Sequence, residues 1–89
     1  MGAKRVALVT GATGGLGTHM CKKLYDDGYL VCGNYRSREK AEKWNEEMKA
    51  EGYDIFLYPA DVSDFDQVGD MIRSIEKDKG TISILINNA

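Results

Sequence analysis

Residues 10–17 read Thr-Gly-Ala-Thr-Gly-Gly-Leu-Gly, four glycines in eight positions, set between a short apolar run and a segment of helical periodicity. A chain that leaves a strand and enters a helix at once needs positions without a Cβ, where φ turns positive or backbone meets backbone. The first N–H groups of the helix have no carbonyl partner and point past the strand end, which suits an anion. A flexible connection would also use glycine, but the flanking strand and helix patterns tie this cluster to a strand–turn–helix unit.

The rest of the chain repeats that unit. Residues 6–10 are apolar and partly β-branched, as for a parallel strand buried on both faces. From 15 to 27 the pattern is helical, with Leu16, Met20 and Leu24 as the apolar stripe and Gly28 as the stop. A second strand is expected at 30–34. Ser37 then caps a helix that carries Ala41, Trp44 and Met48 on one face and stops at Gly52. Residues 54–59 read as a strand with Pro59 at its end. Ser63 opens a third helix with Phe65, Val68, Ile72 and Ile75 at helical spacing, stopped at Gly80, and 83–87 form the fourth strand. Helices of this length connect parallel strands, so the expected fold is α/β, a partial doubly wound parallel sheet of order 3-2-1-4. Ligands of such sheets bind at the carboxyl ends of the strands, beside the switch between the first and fourth.

Composition narrows the partners. With 89 residues, 43% hydrophobic and 29% charged, the chain has the make-up of one small globular unit, and its size makes it marginal unless something braces it. A formal charge of -2, with basic residues interleaved among acids, argues against a nucleic-acid surface. Cys21 and Cys32 lack metal or redox spacing and read as small buried hydrophobes. His19 has no partner at ligand or triad spacing and reads as surface or interface packing. With no signal-peptide pattern and no membrane-length apolar run, the expected location is cytoplasmic, without membrane or metal.

These residues resemble the short-chain dehydrogenase/reductase family, whose Rossmann-like domain opens with TGxxxGxG in one branch and TGxxGxxG in an extended, sugar-nucleotide branch. Gly11, Gly15 and Gly17 fit the first spacing, and Gly11, Gly14 and Gly17 fit the second. Asn87-Asn88-Ala89 looks like the start of the shorter branch's NNAG motif and favours that branch. The whole chain takes part in the likeness, as the N-terminal, dinucleotide-binding half of one reductase domain. The resemblance implies cofactor contacts from Gly11, Thr13, Gly14, Gly15, Leu16 and Gly17 in the turn. It adds Asn34, Arg36 and Arg38 after the second strand, Asp61 and Val62 beside adenine, and Asn88 and Ala89 at the end.

The position that discriminates between nicotinamide cofactors is the end of the second strand. An acid there would bind the ribose hydroxyls and repel a 2′-phosphate. The sequence instead runs Asn34-Tyr35-Arg36-Ser37-Arg38, with no acid until Glu39. A guanidinium pairs with phosphate through parallel charge-assisted bonds, so NADP(H) is expected, with Arg36 first and Arg38 or Lys40 as alternatives.

Within the family the likeness is strongest to acetoacetyl-CoA reductases, on Gly17-Thr18, Cys21 and the stretch from Arg38 to Trp44. Next come 3-oxoacyl-carrier-protein reductases, on Asn34 to Ser37. This implies NADPH-dependent reduction of a 3-oxoacyl thioester, in a protein expected to be a homotetramer when complete. The family's Tyr/Lys pair, Ser and further Asn are expected beyond Ala89, since none of the five tyrosines is followed four residues later by Lys. No catalytic residue is therefore assigned, and the isolated chain is expected to be inactive, with its fourth strand presenting an unpaired edge. A standalone nucleotide-binding module and an extended-branch epimerase fragment are the alternatives.

Overall fold

The computed structural model describes residues 4–88, so the expectation placed on Ala89 lies outside the described residues. The two periodicities alternate as β1 (Val6–Val9), α1 (Gly15–Asp26), β2 (Leu30–Tyr35), α2 (Arg38–Ala50), β3 (Phe56–Pro59), α3 (Phe65–Lys79) and β4 (Ile82–Ile86). Every pairing is parallel and the order is β3-β2-β1-β4, as expected from the sequence. Val9 stands level with Gly33 of β2 and Ile86 of β4, which brings three strand ends to one edge. No helix among the described residues is long and apolar enough to cross a membrane.

Alternation along the strands feeds two cores. Val9 and Val31 join Cys21 of α1 and Trp44 and Met48 of α2 on one face of the sheet. Val6, Leu8 and Cys32 meet Met71 and Ile75 of α3 on the other. The result is a helix–sheet–helix sandwich, in which β1 is buried on both sides as its apolar run requires.

Two expected helix faces hold only in part: Met20 and Leu24 of α1 and Ile75 of α3 pack against the cores, but the first residue of each stripe does not. Helix α1 buries Gly17 and Cys21, and Leu16 is 64% exposed. At 100° per residue Leu16 lies about 120° from the centre of that stripe, because Gly17 must face the strand it follows. Helix α3 buries Met71 and Ile75, which leaves Phe65 about 100° off the buried centre and 89% exposed. Its cap is Asp64, not Ser63: the Asp64 carboxylate accepts from the N–H groups of Asp66 and Gln67, while the Ser63 hydroxyl turns to Asp61. Helix α2 follows expectation, with Ser37 as cap and Ala41, Trp44 and Met48 inward.

The α1–β1 junction is set by one close approach. A Cβ at Gly17 would stand 2.2 Å from the Gly11 carbonyl oxygen and 2.9 Å from Ala12 Cα, whereas one at Gly15 would meet nothing within 4 Å. Gly17→Ala is therefore expected to cost about 2–3 kcal/mol in urea unfolding, through forced displacement of backbone. Gly15→Ala is expected to hold stability or raise it by about 0.4–1 kcal/mol. Equal unfolding midpoints for the two variants would contradict this packing.

Both cysteines are fully buried. Burial pushes the Cys21 thiol up to about 12 and the Cys32 thiol up to about 11, from an ordinary value of 9.0. Native protein should resist iodoacetamide at pH 8 and react promptly in urea. The raised native values also fix the sign of the pH dependence. Up to the ordinary thiol value their contribution is intact; above it the unfolded chain releases protons that the native state keeps, and stability falls toward pH 11–12. A urea midpoint that rises between pH 9 and 10 would contradict the assignment.

Candidate functional site

The turn after β1 is held from three sides. Gly11 takes φ of 62°, a conformation that a side chain disfavours, and the chain reverses there toward α1. Its N–H donates to Asn34 Oδ1 at 3.3 Å, and the Asn34 amide donates in turn to the Ala60 carbonyl at 3.0 Å. Asn34 is 2% exposed, so this side chain ties the turn to the end of β3. From the β4 side the Asn88 N–H donates to Thr10 Oγ1 at 2.9 Å, and the Asn88 amide reaches the Gly11 carbonyl at 3.3 Å. Ala12 fits beneath, since a Cβ at Gly33 would lie 2.8 Å from that of Ala12.

The turn leads into a helix start without a side-chain cap. Gly14 occupies the cap position of α1 and has no side chain to offer, and no acid stands in the first turn. Helices α2 and α3 are capped by Ser37 and Asp64. The leading N–H groups of α1 thus keep their donor capacity and partial positive charge for a group outside the helix.

Beside the turn lies a cavity of about 680 Å³ at the carboxyl ends of β1, β2 and β3. Gly11, Thr13 and Gly14 form one wall, and Asn34, Tyr35, Arg36 and Ser37 another, with Lys40 from α2 above them. Ala60, Asp61 and Val62 close the third side. The volume is that of a small-molecule site. Arg36 and Lys40 bring positive charge to one end, and the arrangement suits an elongated ligand with one anionic group at the turn and another near Arg36.

Asp61 supplies the acid of this cavity. Its carboxylate accepts from the Ser63 hydroxyl at 2.6 Å and the Ser63 N–H at 3.0 Å, and lies 3.5 Å from the Arg36 guanidinium. The Ser63 bonds, with a smaller contribution from Arg36, hold the carboxyl below the usual range, so it stays ionised at neutral pH. Arg36 itself is 81% exposed, tethered at one end and open to solvent elsewhere.

The residues expected from the sequence are distributed unevenly over this geometry. Gly11, Thr13, Gly14, Asn34, Arg36, Asp61 and Val62 come together around the cavity. Arg38 instead borders a separate cleft with Glu42 and Asn45, and Lys40, the alternative, takes the place at the cavity. Gly17 is spent on packing against Gly11 and Ala12. Asn34 lines the cavity, but its amide bonds to the protein. Gly33 and Ser63 are not singled out for the site by the sequence. A glycine inside an apolar strand was the available signal for the first, and the Asp-x-Ser spacing for the second.

Known proteins resemble this chain in sequence and in fold. The family described as short chain dehydrogenase matches residues 5–89. An acetoacetyl-CoA reductase of Allochromatium vinosum is 46% identical over 87 residues, covering 96% of this chain and 35% of the relative. The 3-oxoacyl-acyl-carrier-protein reductase FabG of Staphylococcus aureus is 45% identical over 84 residues, covering 93% of this chain and 34% of its own length. The chain thus spans about a third of these relatives. Among solved structures, 2-keto-3-deoxy-D-gluconate dehydrogenase of Streptococcus agalactiae superposes with a TM-score of 0.91 at 33% identity, over 98% of this chain and 33% of that one. An actinorhodin polyketide ketoreductase variant with NADPH gives 0.89 at 28% identity, over 97% and 33%. With the strand order, the glycine turn and a match over nearly its whole length, this chain belongs to the short-chain dehydrogenase family.

Proposed function

We propose that this chain is the cofactor-binding half of an NADPH-dependent reductase that converts a 3-oxoacyl thioester of the acetoacetyl-CoA type into its 3-hydroxyacyl thioester. The observation that carries the reading is the pairing of an uncapped helix start with a cationic cavity end, in a chain whose relatives include acetoacetyl-CoA and 3-oxoacyl-acyl-carrier-protein reductases.

The residues present fit such a cofactor. Gly14 and Gly15 have room where a Cβ would stand, 3.6 Å from the nearest atom at Gly14 and more than 4 Å at Gly15, so a pyrophosphate can approach the backbone there. Arg36 and Lys40 would hold a 2′-phosphate, Arg36 through two parallel bonds. Asp61 would accept from the adenine amine and the Val62 N–H would donate to the ring, with Ser63 keeping the carboxylate in place. Asn88 secures the turn carbonyl from the β4 side. When bound, the nicotinamide supplies hydride to the ketone carbon. The share of this chain is to bind and orient, and the proton donor to the ketone oxygen comes from outside the described residues.

Two variants test the assignment in the intact protein. Arg36→Ala is expected to raise the KM for NADPH at least about tenfold, the loss of a charge-assisted pair, with little change for NADH. Equal effects on both cofactors would refute the phosphate role. Gly15→Ala is expected to weaken NADPH binding by a similar factor while leaving stability intact. An assay with acetoacetyl-CoA that shows no NADPH oxidation, alongside tight NADPH binding, would remove the substrate reading and leave the nucleotide site standing.

A further inference from the structure

Behind the glycine turn runs a hydrogen-bond chain that begins in a different helix. Trp44 of α2 is 7% exposed, and its Nε1–H donates to Thr18 Oγ1 of α1 at 2.8 Å. An indole N–H can only donate, so the Thr18 oxygen is the acceptor, and its one proton must go elsewhere. It points to the Gly14 carbonyl at 2.7 Å in preference to the Ala12 carbonyl at 3.3 Å. The Thr18 N–H reaches the same Gly14 oxygen at 2.8 Å. Two donors on one residue therefore fix the direction of the Gly14 carbonyl.

A peptide unit is planar and trans, so the carbonyl of Gly14 and the N–H of Gly15 point in opposite directions. Pulling the Gly14 oxygen inward toward Thr18 turns the Gly15 N–H outward, away from α1. Glycines on both sides give this peptide little steric restraint of its own, and the relay supplies the restraint that side chains do not. Helix α2 also carries Lys40, three residues after its cap Ser37, at the cavity's cationic end. Trp44 lies one turn further along the same helix.

We propose that Trp44 and Thr18 are positioning residues: together they hold the Gly14–Gly15 peptide with its N–H turned toward the pyrophosphate of the bound nucleotide, linking the helix that carries the 2′-phosphate site to the turn. This rests on the proposed nucleotide site, and the ligands in the test separate the two. Thr18→Val keeps the shape of the side chain and removes the hydroxyl. Thr18→Ser keeps the hydroxyl, and Trp44→Phe removes the indole N–H.

Binding of NADP+ and of adenosine 2′-monophosphate, which has no pyrophosphate, is measured by calorimetry on the intact protein and the three variants. Thr18→Val and Trp44→Phe are expected to weaken NADP+ about fivefold, the worth of one net hydrogen bond. They are expected to leave adenosine 2′-monophosphate within twofold, and Thr18→Ser should restore NADP+ affinity. With 5-fluorotryptophan incorporated, the Trp44 resonance, identified by its loss in Trp44→Phe, should shift on adding NADP+ and stay in place with adenosine 2′-monophosphate. Unchanged NADP+ affinity in Thr18→Val would overturn the relay, as would equal loss of both ligands, which marks a general structural role. Failure of the unsubstituted protein to bind either nucleotide would overturn the nucleotide reading itself, and the relay's role with it.

Discussion

Helix α1 can follow β1 so closely only because nothing larger than hydrogen stands on Gly17. A Cβ there would stand 2.2 Å from the Gly11 carbonyl oxygen and 2.9 Å from Ala12 Cα, well inside ordinary contact for both. Much of the surrounding structure depends on this approach. It sets the rotation of α1, which buries Gly17 and Cys21 and leaves Leu16 outside, and it presses Ala12 into the space that Gly33 leaves open on β2. It also brings the start of the helix to the mouth of the cavity, so the backbone, not a side chain, meets whatever binds there.

A turn made so largely of glycine has little rigidity of its own, and the fold supplies it from neighbouring elements. Asn34 holds the Gly11 N–H from β2, Asn88 the Gly11 carbonyl from the end of β4, and Thr18 the Gly14 carbonyl from within α1. Each support is a polar group whose partners lie within the protein, so the cost of burying it is offset by the bonds it makes. Two of these supports, from the ends of β2 and β4, are far apart in sequence and flank β1 in the sheet order β3-β2-β1-β4, and the third, Thr18, lies four residues along the same helix. The topology thus does more than place strand ends together: it puts a donor or acceptor on each side of the one segment that cannot hold its own shape.

This explains what the sequence could and could not disclose. The alternation of apolar strands and amphipathic helices, the glycine turn and the strand order were legible, because each depends on local pattern or on a general rule of chain connection. The Ala41, Trp44 and Met48 face of α2 was legible too, since no close backbone contact competes with its periodicity. The faces of α1 and α3 were legible only in part: Met20, Leu24 and Ile75 pack inward as expected, whereas Leu16 and Phe65 do not. In α1 a glycine outranks a leucine for the inward position, and no hydropathy pattern gives glycine that weight. At the head of α3 the cap is Asp64, one residue beyond the expected Ser63, whose hydroxyl donates to the Asp61 carboxylate instead. Arg36 and Asp61 both line the cavity, as residues at the ends of neighbouring strands can, but their pairing required the fold. So did the division between Arg38 and Lys40, neighbours in sequence whose side chains border different clefts.

Electrostatics gives the cavity a direction. Of the charged side chains that line it, Arg36 and Lys40 are basic and Asp61 is acidic, and the glycine wall of Gly11, Thr13 and Gly14 carries no charged side chain. At that wall the only charge is the partial positive end of α1, which no acid in the first turn cancels. An anion therefore finds two attractive regions, the helix start and the Arg36–Lys40 side, and the Asp61 carboxylate on the latter side is already bonded to Ser63 and Arg36. A ligand with a single phosphate satisfies one end only. A ligand with a second phosphate, and with a hydrogen-bond donor for Asp61 beside it, would engage both regions at once, which is how such a cavity would favour a doubly phosphorylated ligand over a singly phosphorylated one.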